Sequence, residues 1–157
     1  MDSVLTALRN HFHAENRCFC QGKMTPKEGN SKSQFEIRFK RDRSETIWRV
    51  TIDGCLIRSE NCEKCDYAFY RKIYNAFILV ELKGNDVAKA ISQLRSTINQ
   101  FNQVPSISIN DKWSAFVVPS RVVPKSRSDI QKEKKAFLRD FGFGLTIKNR
   151  NATLSLP

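Results

Sequence analysis

The sequence predicts an α/β fold with a mixed central β-sheet flanked by helices. Residues 34–40 and 46–52 alternate apolar and polar side chains with the period of a half-buried strand, and the charged residues 41–45 between them predict a hairpin. Residues 75–83 are almost continuously apolar until their end, which is typical of a strand buried on both faces. Residues 86–101 then place apolar side chains at helical spacing, so helices follow strands along the chain.

The chain opens with a predicted helix. Asp2 or Ser3 is placed to cap it, because short polar side chains accept hydrogen bonds from the first free amides of a helix. One face of this helix is apolar and carries Val4, Leu5, Leu8 and Phe12. Residues 17–33 mix glycine, proline, asparagine and serine with several lysines, which indicates a loop.

A tight turn is predicted at Asp53-Gly54, and residues 55–58 resume an apolar strand after it. Two interpretations of Asp53 remain open. It is either an acidic residue of an active site or a turn former whose side chain bonds nearby amides. The glycine that follows favours the turn.

Two further strands, at residues 65–70 and 75–83, are predicted to pair in antiparallel fashion across a polar turn. If Asp66 lies directly opposite Glu81, both carboxylates point to the same side of the sheet, whereas a slip of one residue separates them. Lys83 shares the face of Glu81, because side chains alternate along a strand. The sequence therefore predicts two carboxylates and an ammonium group close together.

The clearest predicted helix spans residues 86–101, and Asn85 is placed to cap it. Its apolar stripe faces the sheet and consists of Val87, Ala90, Ile91, Leu94, Ile98 and Phe101. Residues 113–118 form the stronger of two strand candidates after this helix, and residues 106–109 form the weaker one.

A last helix begins after Ser128 or Asp129 and is predicted to end before Gly142, since glycine commonly terminates helices. Residues 145–148 and 153–156 then alternate as strands and are predicted to form a C-terminal hairpin.

The composition is that of one folded domain, residues 1–157, with 40% hydrophobic residues. Its 27 Lys and Arg against 16 Asp and Glu give a net charge of +11, which favours a polyanionic partner such as nucleic acid. No stretch resembles a signal peptide or approaches the roughly 20 apolar residues that span a bilayer. We therefore expect a cytoplasmic protein with no membrane partner.

Five cysteines are present, and an odd number argues against a disulfide framework in a reducing compartment. Free thiols or metal ligands are the expectation. Four of them could in principle close a tetrahedral zinc site, and the remaining alternative is small buried residues at strand ends. These four are Cys18, Cys20, Cys62 and Cys65.

Asp66, followed after the apolar strand by Glu81-Leu82-Lys83, resembles the motif of the PD-(D/E)XK nuclease superfamily of restriction-type endonucleases and Holliday-junction resolvases. The resemblance covers residues 53–101. It implies a restriction endonuclease-like core, and it implies a nuclease of the kind that serves as the nuclease subunit of an anti-phage defence or DNA-repair system.

Three further residues are candidates to support this site. Gln93 is similar to the glutamine that many members place after the E-x-K strand, and Glu15 is similar to the extra carboxylate that some recruit from the first helix. Asp53 is the alternative to Asp66. The chain departs from the pattern where Cys65 stands in place of proline and where Thr97 stands in place of tyrosine.

The resemblance implies that Asp66 and Glu81 bind Mg²⁺ or Mn²⁺, with the carbonyl of Leu82 as a further ligand, and that Lys83 orients or deprotonates the attacking water. The reaction would be phosphodiester hydrolysis in DNA in preference to RNA.

Basic residues in the two irregular segments are the candidate nucleic-acid contacts: Lys23, Lys27, Lys32, Arg121, Lys125 and Arg127. A protein partner or a homodimer is also expected, because a minimal nuclease needs something to choose its substrate. The alternative function is a nucleic-acid-binding or assembly subunit that kept the nuclease fold and lost turnover.

Overall fold

The computed structural model describes residues 1–21, 33–39, 45–82, 86–120 and 127–156. These residues form three α-helices, two short 3₁₀ helices at Asn16–Cys18 and Lys72–Tyr74, and eight strands. The helices are α1 (Ser3–His11), α2 (Val87–Asn102) and α3 (Arg127–Phe141). The strands are β1 (Phe19–Gln21), β2 (Gln34–Phe39), β3 (Ile47–Thr51), β4 (Tyr67–Arg71), β5 (Ala76–Glu81), β6 (Ser114–Val117), β7 (Leu145–Ile147) and β8 (Asn151–Leu156).

Six strands form one mixed sheet in the order β1-β3-β4-β5-β6-β7. Neighbours from β1 to β5 are antiparallel, whereas β5, β6 and β7 are parallel to one another. The parallel pairing follows from the helices, because α2 connects β5 to β6 and α3 connects β6 to β7. The predicted mixed α/β architecture is therefore confirmed.

Both faces of this sheet are covered, which explains why β5 is apolar up to its last residue, Glu81. Phe77 and Leu79 point to the side where the helices pack, in one cluster with the apolar stripe of α2. Ile78 and Val80 point to the opposite side, where they join a second cluster. Every residue of β5 is buried as a result, including Glu81 at its end.

The second face is covered by a two-stranded parallel ribbon in which β2 pairs with β8. Phe35 pairs with Ala152 in this ribbon, and its ring lies 5.5 Å from that of Phe69 and 4.8 Å from that of Phe116. The two predicted hairpins are thus wrong, since β2 does not pair with β3, nor β7 with β8. Alternation indicates which face of a strand is buried, but it does not choose the neighbouring strand.

Three smaller predictions also fail. Part of the predicted loop 17–33 is regular, because the 3₁₀ helix leads into β1. Residues 55–58 do not form a strand: Cys55 and Leu56 lie in a turn after Gly54 adopts a left-handed φ of 74°, and Ile57 makes one isolated bridge to Asp53. Residues 106–109 are irregular and begin with Ser106 at a φ of 76°.

The helix ends follow from their capping residues. Asp2 caps α1 by accepting from the amide of Val4 at 2.8 Å, as predicted. Asp86, and not Asn85, caps α2 by accepting from the amide of Lys89 at 3.1 Å. Gly142 ends α3 with a φ of 78°. Within the described ranges, no helix has the length and apolar character needed to cross a membrane.

Candidate functional site

The candidate site is built from the ends of two central strands. Tyr67 pairs with Val80, so Asp66, one residue before β4, lies opposite Glu81, the last residue of β5. Neighbouring backbones hold both positions, since the amide of Ile52 donates to the Asp66 carbonyl at 2.9 Å and the amide of Val118 donates to the Glu81 carbonyl at 2.8 Å. The predicted register is confirmed, and both carboxylates lie on the helix side of the sheet.

These two carboxyl groups are largely removed from solvent. Asp66 is 8% exposed and Glu81 is 2% exposed. Asp66 Oδ2 accepts a hydrogen bond from the amide of Leu82 at 2.9 Å. Glu81 Oε2 is buried and has no hydrogen-bond partner among the described residues, which is unfavourable for a polar atom.

The burial changes the acidity of Glu81. The pKa of Glu81 is raised to about 9, mainly by loss of hydration, next by the charge of the adjacent Asp66 and a hydrogen bond between the two side chains, and least by the charge of Asp53. Glu81 is therefore protonated at neutral pH in the metal-free protein. This proton removes the repulsion that two adjacent buried carboxylates would otherwise exert on each other.

Helix α2 anchors the segment that leads into Asp66. The Thr97 hydroxyl is fully buried, accepts from the amide of Cys65 at 2.9 Å and donates to the carbonyl of Gln93 at 2.9 Å. The Gln93 side chain donates to the carbonyl of Lys64 at 3.1 Å. Gln93 is therefore beside the site, as predicted, and its contact is with the backbone before Asp66. The sequence does not predict this role of Thr97, because there the residue is only a departure from the motif.

A cleft of about 370 Å³ lies beside the segment that leads into Asp66. Its walls come from the segment before Asp66 and from α2, and they include Asp53, Glu60, Asn61, Cys62, Glu63, Lys64, Lys89 and Gln93. Neither carboxylate of the pair lines the cleft. Asp53 links the cleft to the pair, because it lines the cleft and its charge raises the pKa of Glu81.

Asp53 combines the two interpretations left open by the sequence. The turn is present, with Gly54 in the left-handed region. The Asp53 carboxylate itself lies 3.9 Å from Lys64 Nζ. The sequence does not indicate a role for Lys64, whose side chain is only 11% exposed.

The remaining predicted residues are not brought to the pair by the described structure. Glu15 forms exposed ion pairs with Arg17 at 2.8 Å and with Arg58 at 3.7 Å. Lys83 lies outside the described residues. Five of the six predicted basic contacts also lie outside the described residues: Lys23, Lys27, Lys32, Arg121 and Lys125. The sixth, Arg127, begins α3, and its side chain is likewise outside the described part of the structure.

The cysteines do not assemble as the zinc hypothesis requires. Cys18 forms a disulfide with Cys55, with a Cα–Cα distance of 5.6 Å, so the expectation of free thiols is wrong for this pair. Cys20 and Cys62 are half-buried thiols, and Cys65 is fully buried. Burial raises the pKa of the Cys65 thiol, as do the charges of Glu81 and Asp66, which disfavours the thiolate that zinc binds.

In the part of the chain that the structure describes, no group of three or more His, Cys, Asp or Glu side chains is arranged to hold a metal ion. The pair Asp66 and Glu81 nevertheless fits a hard divalent cation, because it offers two carboxyl groups, and one oxygen of Glu81 is buried without a partner among the described residues. Compared with protein-family models, curated proteins and solved structures, the chain shows no match.

Proposed function

We propose that this chain is a metal-dependent nuclease of the PD-(D/E)XK type that hydrolyses phosphodiester bonds in DNA. The observation that carries the proposal is the buried carboxylate pair, Asp66 and Glu81, at the end of two central strands. A restriction endonuclease-like core is part of the proposal. The net charge of +11 supports a polyanionic substrate.

The pair is costly for the folded protein, which is why it supports a functional role. Burying a carboxyl group beside another one costs free energy unless hydrogen bonds or a cation compensate. Here one oxygen of Glu81 is buried without compensation among the described residues. Strongly perturbed acid groups next to a cleft are typical of functional sites.

The proposed roles follow from the chemistry of each group. Asp66 and Glu81 would hold Mg²⁺ or Mn²⁺, and Glu81 must lose its proton to do so. A bound divalent cation neutralises charge on the phosphate and makes water a better nucleophile. Lys83 follows the pair in the sequence, and we assign it to orienting the attacking water and to offsetting negative charge in the transition state.

A plasmid-nicking assay tests the proposal. The native chain is compared with Glu81→Gln in the presence of Mg²⁺, Mn²⁺ or EDTA. Glu60→Gln is the matched control, since Glu60 lines the cleft but is not part of the pair. We expect nicking that depends on the metal, a loss of at least about 100-fold in Glu81→Gln, and an active control. Full activity in Glu81→Gln removes the hypothesis.

A nucleic-acid-binding or assembly subunit without turnover is the second candidate. It is favoured by the low exposure of Glu81, 2%, because a substrate phosphate must approach the metal ligands of an active nuclease. The same assay separates the two functions. A folded chain that binds DNA and does not nick it with either metal supports the binding subunit.

A further inference from the structure

The carboxyl ends of three parallel strands meet at the edge of the sheet that holds the candidate site. Glu81 ends β5 and pairs with Val117, the last residue of β6, which in turn pairs with Ile147, the last residue of β7. Neighbouring strands lie about 4.8 Å apart, so the end of β7 is roughly 10 Å from Glu81. The residues that follow β7 therefore lie at the same edge as the carboxylate pair.

The turn that follows β7, residues 148–150, is fixed by its backbone. The amide of Lys148 donates to the carbonyl of Val117 at 3.0 Å, and the amide of Arg150 donates to the carbonyl of Pro119 at 2.8 Å. The Arg150 carbonyl accepts from the amide of Gln34 at 2.7 Å. Arg150 is thus held on both sides, by the residues after β6 and by the ribbon that covers the sheet.

Arg150 adopts a left-handed conformation with a φ of 63°. This region is unfavourable for an arginine and is tolerated much better by asparagine or glycine. Asparagine occupies the positions on both sides of it, Asn149 and Asn151, so the turn places the less suitable residue type at the strained position. Strain that is fixed by surrounding contacts points to a functional demand on the side chain.

The side chains of Lys148 and Arg150 are exposed, and neither forms an ion pair with a residue that the structure describes. Other exposed arginines differ in this respect. Arg17 and Arg38, for example, each have a glutamate oxygen within 2.8 Å. Two uncompensated cations therefore stand at the sheet edge that also carries the site proposed to bind a polyanion, on the side where the ribbon of β2 and β8 begins.

We infer that Lys148 and Arg150 form a phosphate-binding lip that holds the backbone of the nucleic acid beside the Asp66 and Glu81 pair. This inference rests on the proposed function, because it assigns the lip to the same substrate. The two residues position the substrate and do not take part in the reaction. The sequence does not predict this role for Lys148 and Arg150, since the residues of a turn do not indicate which edge of the sheet the turn joins.

The test measures binding in EDTA, so that it does not depend on cleavage. Fluorescence anisotropy with a labelled DNA duplex compares the native chain with Arg150→Asn, Arg150→Lys and Lys148→Gln over a range of salt concentrations. Arg150→Asn removes the charge and supplies a residue suited to the left-handed region. Lys135→Gln is the matched control, because Lys135 is an exposed lysine in the middle of α3.

We expect Arg150→Asn and Lys148→Gln each to weaken binding at least about fivefold and to reduce the slope of log K against log salt by about 0.9. Arg150→Lys should keep most of the affinity, and the melting temperature of Arg150→Asn should equal or exceed that of the native chain.

The lip is overturned if both charge-removing variants keep the native affinity for DNA, or if Lys135→Gln loses as much affinity as they do. It is also overturned if Arg150→Asn melts at a lower temperature than the native chain, or if the chain binds a polyglutamate peptide and not DNA. If the native chain binds DNA through Lys148 and Arg150 but does not nick it, the proposed nuclease activity is refuted and the proposed lip is not.

Discussion

At the scale of single residues, Glu81 is a carboxylic acid buried at a position where its ionised form is unfavourable. Val117 neighbours it on β6 and Asp66 neighbours it on the other side, so neither solvent nor a cationic side chain in the described structure compensates an ionised Glu81. The proton on Glu81 replaces the missing cation. Stability, acidity and metal binding are consequently linked at this one residue.

The first prediction concerns the stability of the metal-free protein. The pKa of Glu81 is raised from 4.5 to about 9 in the folded state, so folding is favoured below pH 4.5 and this contribution is lost as the pH rises towards 9. The free energy of unfolding should fall by about 1.4 kcal/mol per pH unit within that window. Urea unfolding in EDTA at several pH values measures it.

Glu81→Gln provides the comparison, because glutamine has the same shape and cannot ionise. Its stability should change little across the same window, and above pH 7 it should exceed that of the native chain. If both proteins show the same dependence on pH, Glu81 is not the group responsible.

The second prediction separates Asp66 from Asp53. Asp66→Asn should abolish Mn²⁺ binding with little change in melting temperature, because asparagine loses the negative charge but keeps an oxygen for the amide of Leu82. Asp53→Asn should still bind Mn²⁺ and should lose less than about 1 kcal/mol, since its contact with Lys64 is a single ion pair whose aspartate is exposed.

Calorimetric titration with Mn²⁺ decides between the two aspartates. Normal binding by Asp66→Asn together with lost binding by Asp53→Asn would show that the metal ligand has been assigned to the wrong residue.

At the scale of elements, α2 does more than cover the sheet. Its Thr97 hydroxyl and Gln93 amide bind the backbone of Lys64 and Cys65, immediately before Asp66. The helix thereby fixes where the strand that carries Asp66 begins. Positioning of this kind determines whether two carboxylates share a cation or diverge.

The third prediction tests this anchor. Thr97→Val keeps the shape of the side chain and removes its hydroxyl, so the buried amide of Cys65 loses its acceptor at a cost of about 1–3 kcal/mol. We expect weaker Mn²⁺ binding as well, because Asp66 is held less firmly. Thr97→Ser is the control and should stay close to native in both denaturant unfolding and metal titration. A Thr97→Val variant that matches the native chain in both would show that α2 does not position the site.

At the scale of the whole molecule, the net charge of +11 governs how the protein meets a polyanion. The fourth prediction is that DNA binding weakens steeply with salt, with a log–log slope of about −0.9 for each phosphate contact. Anisotropy titrations over a range of salt concentrations measure the slope. An affinity that does not depend on salt argues against recognition of the phosphate backbone.

Local pattern alone predicted much of the fold and the centre of the site. Helical periodicity located α2, and the continuous apolar run located β5. The short turn between β4 and β5 left few registers open, and the one that pairs Asp66 with Glu81 is the one the structure adopts. These features depend on residues that are close together along the chain.

What the sequence by itself determined is which segments form helices and strands and which faces they bury. Only the tertiary structure decided which faces meet. Strands β2 and β8 pair although most of the chain lies between them, because each has an apolar face that only the uncovered side of the sheet can bury. The same folding brings Thr97 to Cys65, buries Glu81 Oε2 without a partner and places Arg150 at the edge of the site. Such contacts follow from the complementarity of distant surfaces, which local periodicity does not encode.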